Sequence, residues 1–314
     1  MSVGRLRLVV TVVAVGFVLA LVLGSAGLLG GGRALGSSTT LTVIGGDVSA
    51  RHGAGGQFVA AVDGEVLNAG DAVPTGPDAR AVLTYFEGST VTIEPNTELA
   101  IDTATAQGGD TVVQMTQNVG RTWHVVATLV AGGSKYEVRT PASTASVRGT
   151  AFEVVTDGTT TTVTTTDVTV INQVPDPDNP GRTIDVPVRA GERHTHERGR
   201  PVGGTSSTPE PERKVTITLG EENTIVIDTL GRANGIDRNG RTRLETPGAK
   251  LERIDGRLVI TLPNIPDGRL QALVRKQGGG EVNMQTVVVD RGQSSTSNGR
   301  VSADTATGQG SANI

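Results

Sequence analysis

The histidine pair His194 and His196 has the spacing of a possible metal site. In a strand, residues i and i+2 point to the same side, so both imidazoles could reach one metal ion, with Glu192 and Glu197 nearby. The surrounding segment is rich in other Arg and Glu residues and precedes a polar stretch. We therefore expect a solvated strand end without a metal, and we expect the two isolated histidines to be exposed or at a core edge.

Arg148 is the second candidate for chemistry, because a guanidinium group can hold a carboxylate or phosphate through two hydrogen bonds. Gly149 follows it and permits a positive φ or a bulge between two strands. We favour the structural interpretation, in which Arg148 pairs with an internal carboxylate or with backbone carbonyls and holds the bend. Thr140-Pro141 fits the same view, since proline extends the preceding residue and lacks a donor at a strand end.

Catalytic patterns are scarce. The chain has no Cys, no Gly-x-Ser-x-Gly and no His-Glu-x-x-His, and its acidic turns do not match a calcium loop. A glycosidase needs only two carboxylates in space, which 32 acidic residues could supply. Glycosidases usually stack sugar rings on aromatic side chains, and this chain has only one Trp and two Tyr. We expect a protein that is not an enzyme and has no cofactor, and an acidic pair lining a cleft would argue the other way.

Composition favours an all-β fold. The chain has 314 residues, 43 Gly and few aromatic residues, so its cores are built from Val, Ile, Leu and Ala between many turns. A hairpin is predicted from residues 81–86 and 89–93 around the Glu87-Gly88 turn. The Thr-rich strands at 159–169 are expected to present an exposed face that is available for edge pairing. A net charge of -4 with scattered basic residues argues against nucleic-acid binding.

The N-terminal segment is apolar. Residues 1–7 carry Arg5 and Arg7, and an apolar segment follows at 8–30. Its most apolar part, at 8–29, would be about 33 Å long as a helix, enough for a hydrocarbon core of about 30 Å. We favour a retained signal anchor, and a cleaved signal peptide near Gly24-Ser-Ala26 remains the alternative. Both interpretations export the remainder of the chain, which starts with a spacer at 31–40.

Two β domains are expected after the spacer. The first spans 41–198, a linker with Gly, Ser and Pro follows at 199–212, and a second β-rich block occupies 213–292. Its six to seven short strands predict a small immunoglobulin-like β-sandwich. Residues 293–314 are almost all small and polar, which predicts a disordered tail.

An ordered set of short motifs resembles the FecR domain family over residues of about 43–192. The motifs are Gly64-Glu-Val66, Ala69-Gly-Asp71, Glu87-Gly-Ser89, Glu94-Pro-Asn-Thr97, Gly120, Thr140-Pro141, Val147-Arg-Gly-Thr150 and Ala190-Gly-Glu192. The resemblance implies an all-β domain outside the cytoplasm, which in the best-known members carries a surface signal through a membrane helix to an intracellular sigma factor. Only seven residues precede the apolar run, so the family's cytoplasmic sigma-binding region is not expected here. A Pro-rich, insertion-like loop is expected at 174–187.

We therefore expect a membrane-anchored, extracytoplasmic binding or scaffolding protein of the cell envelope. Its partner would be an envelope protein or a cell-wall polymer, with no small-molecule ligand identified. Transmembrane signalling related to FecR-type sigma-factor regulation is the first alternative, and a glycan-acting enzyme is the second. The signature residues Thr140, Pro141, Val147, Arg148, Gly149 and Thr150 are expected to be structural.

Overall fold

The computed structural model describes residues 37–209, 211–220, 223–304 and 309–314. All the regular secondary structure in these ranges is β-strand. The all-β prediction is confirmed for this part of the chain. Within it, no helix is long and apolar enough to cross a membrane. The predicted membrane helix at 8–30 and the segment at 1–7 lie outside the described residues. The described residues belong to one compact unit.

The first seventeen strands form what we call the N-terminal module. They are β1 (Thr39–Gly45), β2 (Ser49–Ala50), β3 (Val59–Ala60), β4 (Val66–Leu67), β5 (Ala72–Pro74), β6 (Arg80–Thr84), β7 (Thr90–Ile93), β8 (Glu98–Gln107), β9 (Asp110–Val125), β10 (Lys135–Arg139), β11 (Thr144–Val147), β12 (Ala151–Thr156), β13 (Thr160–Thr165), β14 (Val170–Pro175), β15 (Thr183–Val188), β16 (Glu192–Glu197) and β17 (Ser206–Ser207).

Ten further strands form the C-terminal module. They are β18 (Arg213–Leu219), β19 (Ile225–Ile227), β20 (Ala233–Ile236), β21 (Thr242–Leu244), β22 (Lys250–Ile254), β23 (Arg257–Pro263), β24 (Gln271–Arg275), β25 (Gly280–Asp290), β26 (Gln293–Ala303) and β27 (Gln309–Asn313).

The N-terminal module has two sheets, and strand β9 belongs to both of them. Sheet I runs in the order β4-β1-β6-β7-β9-β12-β13-β16-β17, and sheet II runs in the order β15-β14-β11-β10-β9-β8-β5. The first part of β9 pairs with β8 and β10, and its last residues pair with β7 and β12. The strand changes partners at Gly120, where φ is +99° and a Cβ atom would lie 2.4 Å from the Cα atom of Thr97. Glycine is therefore required at this position.

Alternating side chains from both sheets meet in one apolar core. Leu83, Phe152 and Val154 come from sheet I, and Met115 and Tyr136 come from sheet II. The predicted hairpin is confirmed, because β6 and β7 pair in antiparallel register from Ala81 opposite Ile93 to Thr84 opposite Thr90. Burial of these residues fixes the register, since a slip by one residue would expose the apolar set.

The C-terminal module is built from two five-stranded sheets around a second core. Sheet III has the order β22-β23-β18-β25-β26, and sheet IV has the order β21-β20-β19-β24-β27. Ile217, Ile260 and Val226 are among its fully buried residues. Eight of its strands, β18 to β25, lie in the described part of 213–292, where the sequence predicted six to seven.

The structure differs from the expected disordered tail. The strands β26 and β27 lie within 293–314 and pair with β25 and β24 along their whole lengths. Val301 and Ala303 are buried in the second core. The small polar residues of β26 are ordered by backbone hydrogen bonds to β25, the preceding strand of the same hairpin, which composition alone does not reveal.

Three other segments also differ from expectation. Ser206–Ser207, inside the predicted linker, pairs with β16. Much of the predicted loop at 174–187 belongs to a hairpin, since β15 pairs with β14. The Thr-rich strand β13 has β12 on one side and β16 on the other, so its edges are already paired and the expected edge pairing is wrong for this strand.

Candidate functional site

The turn Thr140-Pro141 joins β10 to β11 and is tightly bonded. The Thr140 hydroxyl group donates to the carbonyl oxygen of Ser143 at 2.9 Å and accepts from the Ser143 amide at 3.0 Å. It also lies 2.7 Å from the Thr161 hydroxyl group on the facing strand β13. The Thr140 hydroxyl group thus closes the turn and ties one sheet to the other.

The segment Val147–Thr150 holds the start of β12 in place. Val147 is buried, and the exposed Arg148 donates from Nη2 to the carbonyl oxygen of Gly132 at 2.9 Å. Gly149 has φ of +136°, and a Cβ atom there would lie 2.8 Å from the Cα atom of Thr128. The Thr150 hydroxyl group accepts from the Val168 amide at 2.9 Å. The contact of Arg148 is thus to a backbone carbonyl, one of the two partners that the sequence suggested.

His194 and His196 both point inward and are buried, so the solvated strand end expected for them is wrong. The two rings stack with centroids 6.4 Å apart, and His194 has Asn172 and the Gly203 carbonyl oxygen as hydrogen-bond partners. Burial lowers the pKa of both histidines, which favours neutral imidazoles. Among the described residues, no cluster of three or more His, Cys, Asp or Glu residues could hold a metal ion.

His124 is also buried, contrary to the expected exposed or core-edge position. Its ring stacks on Phe152 at 4.6 Å between centroids, and its nitrogens lie 3.0 Å from the Tyr136 hydroxyl oxygen and 2.7 Å from the Thr122 hydroxyl oxygen. Burial lowers its pKa to about 3. His124 is therefore a neutral core residue at neutral pH.

His52 lies between two carboxylates. Its Nε2 atom is 2.7 Å from Glu65, and its Nδ1 atom is 3.1 Å from Asp71 of the Ala69-Gly-Asp71 motif. The hydrogen bond to Glu65, followed by that to Asp71, raises the pKa of His52. Asp71 also accepts the amides of Gly53 and Asn68 at 2.8 Å each, so this carboxylate joins three loop segments.

A buried ion network links the two modules through Glu94, the first residue of the Glu94-Pro-Asn-Thr97 motif. Its two carboxylate oxygens accept hydrogen bonds from Arg80 at 2.9 Å and from Arg232 of the C-terminal module at 2.7 Å. Arg232 also donates to Asp228 at 2.7 Å, and Asp228 accepts from the Thr246 hydroxyl group at 2.7 Å. Arg232 is 5% exposed and Glu94 is 9% exposed, so the pair is shielded from water.

Trp123 forms the second connection between the modules. Because His124 points into the core, Trp123 points outward from sheet I, yet it is only 1% exposed. Its indole nitrogen donates to the carbonyl oxygen of Leu244 at 2.9 Å, and the neighbouring outward residue Val125 packs against the second core. The C-terminal module therefore covers the outer face of sheet I at β9.

Beyond this covered region, the outer face of sheet I forms the floor of a cleft of about 1020 Å³. One cross-strand row of the floor runs from Trp123 through Glu153 and Thr164 to Arg193. The opposite wall is the outer face of sheet III, including Lys214 and Lys250, together with prolines.

Three carboxylates line this cleft, and an acidic pair in a cleft is the feature that would favour a glycan-acting enzyme. Both oxygens of Glu94 are bound by guanidinium groups, which is a structural role. Burial raises the pKa of Glu153, although Arg121 lies 3.5 Å away and opposes this shift. Glu252 lies on the other wall. Sequence reasoning did not find the cleft, because its residues come from strands of two modules and no local motif contains them.

The family comparison bears on the first module. Residues 71–170 match the family model described as FecR protein. The matched range contains the signature residues from Thr140 to Thr150. The resemblance inferred from the motifs is thereby confirmed for these residues, and the FecR match includes Glu94, Trp123 and Glu153.

Among solved structures, two crystal structures of a "putative anti-sigma factor" from Parabacteroides distasonis ATCC 8503 are similar to this chain, at 15% identity and a TM-score of 0.35. The similarity covers 43% of this chain and 59% of that protein, so this chain spans under two thirds of its length. The comparison with curated proteins gives no match.

Proposed function

We propose that this protein is a regulatory binding protein of the FecR type, without enzymatic activity, which takes part in transmembrane signalling to a sigma-factor pathway. Because no cytoplasmic sigma-binding region is expected in this chain, the signal would pass through membrane-level contacts with a separate regulator. The observation that carries the proposal is the FecR match over residues 71–170. The resemblance to this family implies a domain outside the cytoplasm that carries a surface signal through a membrane helix. The proposal accordingly places the β modules outside the cytoplasm, with residues 8–30 as the membrane anchor.

The contacts between the modules support a role in which they respond as one body. Glu94 lies in a family motif, and its buried partner Arg232 belongs to the C-terminal module. Breaking such a pair leaves a buried charge unpaired, which is strongly unfavourable. A partner that binds either module would therefore affect the position of the other.

Transcript profiling tests the signalling role. Deletion of the gene should change the transcripts controlled by one extracytoplasmic-function sigma factor, and the full chain expressed from a plasmid should restore them. Unchanged transcripts together with an altered envelope would contradict signalling.

Reporter fusions test the location. A fused alkaline phosphatase, active only outside the cytoplasm, should be active when attached after residue 314, and a fused green fluorescent protein at the same place should be dark. The opposite pattern would contradict the proposed orientation.

A second candidate function is binding or scaffolding in the cell envelope, with an envelope protein or a wall polymer as the partner. The cleft of about 1020 Å³ between the sheets favours this candidate, since rigid β scaffolds bind partners on the surfaces and loops that they present. In this setting the signature residues from Thr140 to Thr150 have a structural role, because their contacts hold a turn and a strand start.

A further inference from the structure

The cleft has an excess of unpaired positive charge. Arg193 on the floor and Lys214 and Lys250 on the wall have no carboxylate within ion-pair distance among the residues that the structure describes. The other lining arginines are paired, Arg80 and Arg232 with Glu94, and Arg121 with Glu153. Glu252 is the one lining carboxylate without a pair in the same residues, which leaves the cleft cationic in a chain whose net charge is -4.

The spacing of the cations suits an extended ligand. Lys214 is opposite Pro263 and Lys250 is opposite Thr261, so the two lysines flank β23 on one face of sheet III. Two strand spacings and a two-residue offset separate their Cα atoms by about 12 Å. A chain with repeated anionic groups can contact the two lysines on the wall and Arg193 on the floor at the same time.

Hydroxyl groups fill much of the remaining floor. Thr162 and Thr164 point to the cleft from β13, and Thr162 lies 2.9 Å from the Thr195 hydroxyl group on β16. Each hydroxyl group can donate and accept a hydrogen bond, as sugar and polyol hydroxyl groups also do. Peptide binding by strand addition would need a free strand edge, and β13 has a strand on both sides.

We propose that this cleft binds an acidic carbohydrate polymer, that is, a sugar or polyol chain that carries carboxylate or phosphate groups. Arg193, Lys214 and Lys250 contact the anionic groups, and the threonines on β13 bond to the hydroxyl groups. The inference rests on the proposed function only in treating the chain as a binding protein, and it adds the chemical class of a ligand.

The test measures binding of the full chain in detergent to four probes of similar length by titration calorimetry. Polygalacturonate supplies carboxylates, poly(glycerol phosphate) supplies phosphates, dextran is neutral, and polyglutamate is an acidic peptide. We expect binding to at least one of the first two probes, weaker binding at high salt, and at least tenfold weaker binding of dextran and polyglutamate.

Two cleft variants and one control variant locate the site. The triple substitution Arg193→Gln, Lys214→Gln and Lys250→Gln should weaken binding about tenfold or more, whereas a matched triple at exposed positions outside the cleft, Lys135→Gln, Arg182→Gln and Arg275→Gln, should change it less than twofold. Thr164→Asp should also weaken binding, because it places a negative charge opposite Arg193. Trp123 fluorescence and thermal midpoints confirm that each variant is folded.

Several results would overturn the proposal. These are no binding of either acidic carbohydrate, equal losses in the two triples, or polyglutamate bound as tightly as the carbohydrates, which would indicate an acidic peptide ligand. The outcome is separate from the proposed signalling role, because transcript changes on gene deletion can persist when no carbohydrate binds.

Discussion

Loss of the Arg232 guanidinium group should strongly destabilise the contact between the modules. In Arg232→Met, the side chain retains its length while Glu94 and Asp228 lose a buried cationic partner. Removing one partner of a buried ion pair costs about 3 to 5 kcal/mol. We expect a loss of that size in the free energy of unfolding.

The assay uses the only Trp of the chain, which lies at the same contact. Denaturant unfolding followed by Trp123 fluorescence gives the free energy of unfolding, and a red-shifted emission before the main transition would report early separation of the modules. Adding Glu94→Gln to Arg232→Met should recover part of the loss, because the buried negative charge is then removed. This double-mutant cycle isolates the energy of the pair.

An exposed pair gives the matched control. Arg200 and Glu197 lie 3.4 Å apart, and their side chains are 69% and 49% exposed. Arg200→Met should cost less than about 1 kcal/mol, as is usual for surface pairs. Equal losses for the Arg232 and Arg200 variants would refute the reasoning that burial gives the Glu94 pair its importance.

The remaining predictions concern pH and backbone strain. Burial holds the pKa of His124 at about 3, below the value of about 6.5 in an unfolded chain, so the contribution of His124 to stability is fully present above pH 6.5 and is lost as the pH falls. Between pH 7 and pH 5 the free energy of unfolding should therefore decrease by about 2 kcal/mol. Denaturant melts of His124→Gln should lack this decrease with pH. His52 has the opposite sign, since its pKa is raised by Glu65 and Asp71; an NMR titration should give a pKa above the usual 6.5 that decreases in Glu65→Gln, and an unchanged value would contradict the contact. Gly149→Ala should cost about 2 kcal/mol or more in thermal unfolding because of its positive φ and the close Thr128 backbone, whereas Gly132→Ala, with open space around it, should cost less than about 1 kcal/mol; similar losses would argue against strain at Gly149.

The strands of the N-terminal module were largely predictable, because alternation and turn residues are local signals. The hairpin of β6 and β7 shows this, since Val91 and Ile93 alternate with threonines around a Glu-Gly turn. The strand β26 was not predictable, because its small polar residues are ordered by pairing with β25.

The candidate site was mostly hidden from sequence reasoning. Arg232 has no motif around it, and its role depends on Glu94, which is 138 residues away in the chain. His194 and His196 were correctly placed on one side of a strand, but that side faces the interior. Which face of a strand is buried depends on the strands packed against it, and the short polar segment around these histidines gives no apolar alternation to indicate it.

The position of β9 also has a consequence for how the protein folds. Four strands pair with it, from β7 at residue 90 to β12 at residue 156, so much of the chain must be synthesised before its pairing is complete. Contacts between such distant residues slow folding, since loop closure costs entropy before the pairing compensates for it. The refolding rate of this module should therefore respond more to substitutions along β9 than to substitutions in the edge strand β15.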